Sequence, residues 1–197
     1  MALITRGFGG RGGQRDSRLP PGQTHVDDWP VLTAGATPDV DPSIWEFTVA
    51  TESGDPMTWD WDSFRALGME EFRVDIHCVT HWSRLGMPWR GVSLDRVFEQ
   101  VETSYDYVMA HSYGGYTTNV PLEELLGGRA WIAFEADGEP LEPEHGGPAR
   151  LVVPHLYFWK SAKWVRGLTM MPQDEPGFWE ERGYHLHGDP WTEERYS

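Results

Sequence analysis

The sequence predicts an α+β domain with mixed β-sheets and short helices, and three observations carry that expectation. Short stretches that alternate apolar and polar residues recur along the chain. Between them lie short helical segments that begin on capping residues. No internal repeat or coiled-coil pattern is present, so strands with short interspersed helices are the organising pattern.

In chain order, Ile44 to Val49 alternates in part and reads as a strand, followed by a turn at Gly54-Asp55-Pro56. Asp60 or Asp62 caps a short helix through Phe64 and Leu67. Phe72 to Val79 reads as a strand that delivers Cys78. Ser93 caps a helix through Leu94, Val97 and Val101. Tyr107 to Ala110 is a further strand. Pro121 suits the first turn of a helix through Leu122, Leu125 and Leu126, stopped by Gly127-Gly128. Ala130 to Phe134 is a strand with a turn at Asp137-Gly138, Leu151 to Trp159 is strongly apolar and strand-like, and a last strand runs from Trp164 to Met170.

Residues 1–28 read as a flexible N-terminal arm, 29–171 as the folded domain, and 172–197 as a polar, aromatic tail packed on it. The arm interleaves Arg6, Arg11 and Arg15 with glycines. Such a run also suggests RNA contact, but one short copy on an acidic protein favours a loose arm. With 197 residues, 39% of them hydrophobic, the chain can bury one sizeable core. A formal net charge of -15 argues against a nucleic-acid surface. It leaves an anionic small molecule open, because a pocket can be locally positive on an acidic protein. A single cysteine excludes an internal disulfide and fits a reducing compartment. No run is long and apolar enough to span a bilayer, and neither an apolar signal core nor an Arg-Arg pair is present. The expectation is a cytoplasmic protein with no membrane segment.

Two constellations carry chemistry. The first is His77-Cys78-Val79-Thr80-His81-Trp82-Ser83-Arg84. A lone cysteine is by default a small buried hydrophobe. Positive neighbours or a metal turn it into a soft thiolate ligand, and His77, His81 and Arg84 stand close by. The second is His145-Gly146-Gly147-Pro148-Ala149-Arg150, then Ser161-Ala162-Lys163-Trp164. A glycine turn and a strand with Arg and Ser-x-Lys at its two ends suit a phosphorylated ligand, although surface cations at strand ends give the same pattern.

In this order, the two constellations resemble the molybdopterin-binding domain shared by sulfite oxidases and the bacterial methionine-sulfoxide reductase catalytic subunit. EHGGPARLVVPHLYFWKSAKWV is similar to that family's cofactor segment, HCVTHWSR to its molybdenum-cysteine segment, and Trp89 to Leu94 also fits. The likeness runs from about Trp45 to Leu168, and the ends resemble small single-domain bacterial members. The resemblance implies a sulfite-oxidase-type fold, a molybdenum-molybdopterin cofactor, and oxygen-atom transfer on a small sulfur-containing or anionic substrate. It implies that Cys78 ligates molybdenum, that His145 and Arg150 contact the pterin or its phosphate, and that Ser161, Ala162 and Lys163 bind the phosphate. Ser112 falls at the family's hydroxyl contact. Arg84 is the candidate anion contact, and Tyr113, with Tyr116 or His111 as alternatives, the candidate hydrogen-bond donor to substrate.

The sequence also departs from the family. Animal and plant sulfite oxidases follow the cysteine with an Ala-Gly-Asn-Arg-Arg run, whereas this chain has Val79 to Arg84, which leaves sulfite specificity open. The length leaves no room for a haem domain or the extra dimerisation domain, so electrons are expected to leave through a separate partner. Val31 to Pro38 stands where upstream cofactor contacts would fall. Two other readings remain: a non-catalytic molybdopterin-binding module, or a zinc site from His77, Cys78 and His81 with His185 and His187.

Overall fold

The computed structural model describes residues 16–197, and the Arg-Gly run from Arg6 to Arg15 lies outside them. The strands are β1 (Thr24–His25), β2 (Glu46–Ala50), β3 (Met57–Asp60), β4 (Met69–His77), β5 (Trp82–Ser93), β6 (Tyr107–Ser112), β7 (Thr117–Pro121), β8 (Trp131–Ala136), β9 (Glu139–Pro140), β10 (Arg150–Val152) and β11 (Val165–Met171). Two short α-helices, α1 (Trp61–Arg65) and α2 (Leu94–Phe98), join them.

The strands form two mixed sheets. In the six-stranded sheet β5 is the spine: β4 runs antiparallel along one edge, while β1 and β8 share the other. The five-stranded sheet has the order β3-β2-β11-β6-β7, with β2 and β11 parallel and the rest antiparallel. Inward residues of the two sheets meet in a core of Trp45, Phe47 and Val49 against Val92, Ile132 and Phe134. A second cluster, with Ile76, Met87, Trp89 and Tyr157, lies beneath the turn that carries Cys78.

Local chemistry accounts for the elements. Asp60 caps α1 by accepting from the Ser63 amide at 2.8 Å, and Ser93 caps α2 by accepting from the Asp95 amide at 3.2 Å. Both helices stop after five residues, short of Leu67 and Val101. Leu122–Glu124 forms a 3-10 turn rather than an α-helix. The apolar run from Leu151 to Trp159 stays a strand only to Val152. Pro154 has no amide to extend the ladder, and the chain turns into a 3-10 helix at Phe158–Lys160. The run is apolar because it is buried, not because it is extended.

The segment read as a flexible arm is docked from its described part onward. β1 pairs in parallel with Trp82 and Ser83, and Gln23 is buried. The tail packs on the domain through a buried ion pair between Lys160 and Glu180, 2.7 Å apart.

Candidate functional site

After β4 ends, the Cys78 amide donates to the Trp82 carbonyl at 2.8 Å and the His81 amide donates to the Cys78 carbonyl at 3.1 Å. These bonds close a tight turn between β4 and β5. His81 takes the left-handed conformation at φ 73°, which a non-glycine residue adopts only where its surroundings hold it. The turn places the Cys78 side chain in the wall of a cavity of about 430 Å³. Burial pushes the thiol pKa up, with the Thr80 hydroxyl, 3.2 Å from the sulfur, and the Arg195 charge opposing that rise.

The opposite wall comes from the glycine turn and β10. Gly146 has φ 106°, and a Cβ there would meet the Cβ atoms of Lys163 at 3.0 Å and Arg150 at 3.1 Å, so only glycine lets the two cationic residues pack on the turn. Arg150 is buried with its guanidinium against the Phe158 ring at 4.1 Å. It donates to the carbonyls of His145 at 2.7 Å and Ser161 at 2.8 Å, and makes no salt bridge among the described residues. Burial brings its pKa down to about 9, so it stays charged at neutral pH. Lys163 donates to the carbonyls of Leu32 at 2.8 Å and Glu144 at 2.5 Å, again without a carboxylate partner. Burial and the Arg150 charge lower its pKa to about 8. His145 stacks on Trp29 with centroids 3.9 Å apart. Burial, then Arg150, Lys163 and Arg84, bring its pKa to about 4, so it is neutral.

The cavity thus brings together Cys78, His145, Arg150, Ser161 and Lys163. Other expected residues stand elsewhere. Arg84 is held by Asp137 through two bonds of 2.7 and 2.8 Å, outside the lining. Tyr113 is anchored to β2, where its hydroxyl accepts from the Glu46 amide at 2.8 Å. His111 pairs with Thr169 at 3.0 Å. Ala162 is a core residue whose carbonyl accepts from the Leu151 amide. Ser112 is buried outside the lining, and its hydroxyl has no partner among the described residues. Tyr116 does line the cavity, its hydroxyl donating to the Trp159 carbonyl at 2.6 Å.

The chemistry of the donor set fits molybdopterin. A buried and a half-buried cation without counter-carboxylates among the described residues suit a phosphate, and a thiol in the same cavity suits a soft metal. The zinc reading finds no such support, since among the described residues no group of three or more His, Cys, Asp or Glu has the geometry to hold a metal. His77 instead pairs with Ser83 at 2.8 Å.

Residues 34–179 match the family described as the oxidoreductase molybdopterin binding domain. The chain belongs to this family. It is 42% identical over 190 residues to the uncharacterized oxidoreductase YuiH of Bacillus subtilis (strain 168), covering 95% of this chain and 96% of that one. It is 25% identical over 172 residues to the protein-methionine-sulfoxide reductase catalytic subunit MsrP of Ralstonia nicotianae, covering 76% of this chain and 52% of that protein, so it matches about half of that longer relative. In structure it is similar to the sulfane dehydrogenase SoxCD from Paracoccus pantotrophus, with a TM-score of 0.62, 19% identity, and 70% of this chain and 40% of that one covered. The fold is therefore the sulfite-oxidase-like molybdopterin fold, and the chain is a molybdopterin-dependent oxidoreductase whose substrate these likenesses leave open.

Within this family member, several cavity residues lie outside the matched segment. Trp29 and Tyr184 line the cavity. Sequence reasoning missed Trp29 because it stands in a stretch without periodicity. Val31 to Pro38, suspected of replacing upstream contacts, does reach the cavity through Leu32 to Ala36.

Proposed function

We propose that the protein is a molybdenum-molybdopterin enzyme that transfers an oxygen atom to or from a small sulfur-containing substrate. The observation that carries this reading is the shared cavity of the Cys78 thiol and the uncompensated cations Arg150 and Lys163. Cys78 would hold the metal. Arg150, Lys163 and the Ser161 segment would hold the phosphate, with neutral His145 and Trp29 against the pterin. The bound group supplies the two-electron oxygen-atom exchange, and the protein supplies binding and orientation. Trp82, Trp179 and Tyr184 line the cavity and would exclude water from it. The Tyr184 hydroxyl replaces Tyr113 as the candidate donor to a substrate oxygen, since the Tyr116 hydroxyl already donates to the Trp159 carbonyl. Arg84 is spoken for by Asp137, which favours a neutral S-oxide over sulfite. The MsrP name of one relative points the same way. With one cysteine in the chain no cysteine-ligated cluster can form, so electrons would pass to or from a separate partner protein.

The test is production in a host that makes the cofactor, followed by metal and pterin analysis and turnover with methionine sulfoxide and with sulfite. Stoichiometric molybdenum is expected in the wild type. Arg150→Met should lose pterin and metal together, and Cys78→Ser should retain pterin yet lose turnover. A wild type without molybdenum, or a fully active Cys78→Ser protein, overturns the reading.

A further inference from the structure

We infer that Arg195 is a positioning residue that fixes the Cys78 turn from outside the family domain. The inference rests on the proposed role of Cys78 as metal ligand. Arg195 is buried, and its Nη1 donates at 2.6 Å to the carbonyl of Val79, the residue after Cys78. Its Nη2 reaches the Pro21 carbonyl at 3.5 Å, and its guanidinium lies 4.8 Å from the centroid of the Tyr157 ring. It makes no salt bridge among the described residues. A neutral donor would satisfy one carbonyl at lower desolvation cost, so a buried guanidinium here needs a reason beyond filling space.

The reason lies in what the turn requires. Its carbonyls are taken one after another by donors from the two flanking segments. Gln23 Nε2 donates to Cys78 at 3.0 Å, Arg195 to Val79, and the Thr24 amide to His81 at 2.9 Å. The Gln23 side chain is itself fixed by the Ser83 hydroxyl at 3.2 Å. His81, held left-handed, is tied to the Gly22 carbonyl at 3.1 Å. Arg195 is presented by a folded tail: the Asp189 amide donates to Glu194 at 2.9 Å and the Glu194 amide to Asp189 at 3.0 Å. Gln23, Thr24 and Arg195 all lie outside residues 34–179, whereas the likeness to YuiH spans nearly the whole chain. The family domain alone therefore leaves this turn unclamped, and the flanking segments supply the clamp. Without it the sulfur would sample several directions, and a metal ligand must keep one.

The test compares Arg195→Met and Arg195→Lys with the wild type as full-length protein. Hydrogen exchange of the Cys78 and His81 amides is read in cofactor-free protein, and the Mo(V) electron-paramagnetic-resonance spectrum in loaded protein. In Arg195→Met, exchange of these two amides should rise about tenfold or more while β2 and β11 keep wild-type protection. The Mo(V) signal should broaden into more than one species. Arg195→Lys, which keeps the charge and a donor, should restore most of both. If Arg195→Met does not fold, Arg195→Gln is read in the same way. Unchanged exchange at the turn, a rise spread evenly over all strands, or an unaltered Mo(V) signal in a variant that has lost the clamp overturns the inference. A wild type that binds no molybdenum defeats the proposed function instead, and the exchange comparison still decides whether Arg195 holds the turn.

Discussion

Lys160→Met is the most demanding test of how the tail is tied to the domain. Lys160 and Glu180 have side-chain exposures of 0% and 0%, with Nζ 2.7 Å from Oε1. Lys160 also donates to Asn119 O at 2.9 Å, Asn119 Oδ1 at 2.8 Å and Leu186 O at 2.5 Å. Burial lowers the lysine pKa even against the charge and hydrogen bond of Glu180, which marks desolvation as the larger effect. Removing the cation strands Glu180 in the interior, supported among the described residues only by Thr118 at 3.1 Å and Trp159 at 2.8 Å. Breaking one side of a buried pair costs about 3–5 kcal/mol. For a chain of this size each kcal/mol moves the melting midpoint by about 2–4 °C, so a fall of about 6–20 °C is expected. Urea unfolding monitored by tryptophan fluorescence gives the free energy directly. Lys160→Met with Glu180→Gln should recover about half the loss, because the stranded charge is gone. A single variant that loses less than about 1 kcal/mol, or a double variant no better than the single, would refute the reasoning.

Three further outcomes follow from other places in the fold. Gly91→Ala should destabilise by about 1–3 kcal/mol in the same unfolding assay, since its Cβ would meet the Ile132 carbonyl and sit 2.8 Å from the Ala133 Cα, both backbone that cannot swing aside. Trp29→Ala removes the ring stacked on His145 and should speed release of pterin by about twofold to tenfold, followed by fluorescence. His187 is partly buried, which opposes its charge, but hydrogen bonds to Glu194 at 2.8 Å and Glu124 at 3.2 Å, with their charges, outweigh that and raise its pKa above 6.5. A raised folded pKa gives stability that is complete below the unfolded value and is lost as pH rises through the folded one. The gap in melting midpoint between wild type and His187→Gln should therefore be larger at about pH 6 than at about pH 9. An equal gap at both would exclude the ionic contribution.

The legible parts of the fold were those that local chemistry decides. Asp60 and Ser93 announced both helices, because a cap is a contact between near neighbours in sequence. β5 was not legible: Gly86 and Pro88 interrupt any strand pattern in the sequence, and β4 pairs with the chain on both sides of Gly86 only through a shift of register there. The cationic site was legible as a pattern of residue types, since Arg150 and Lys163 are brought together over a short span. Arg84 and Tyr113 misled for the opposite reason. Their partners, Asp137 and the start of β2, lie 53 and 67 residues away, and no periodicity reports such a pairing. The same distance hid Gln23 and Arg195.

Lys160 and Lys163 show why composition alone misjudges this protein. The net charge of -15 is a statement about the surface, where most carboxylates sit. Two lysines stand three positions apart, flanking Ser161 and Ala162, one buried and one half-buried, and meet opposite surroundings. Lys160 faces Glu180 from the tail and is neutralised, so its work is to bind segments together. Lys163 faces carbonyl oxygens and another cation, Arg150, so its charge is left over. Two like charges held side by side in a partly buried wall raise each other's cost, and each adds to the attraction for an anion. A fold keeps such an arrangement only where something else returns the energy. Under the proposed function the phosphate of the cofactor would do so, and the Cys78 thiol in the same cavity would hold the metal.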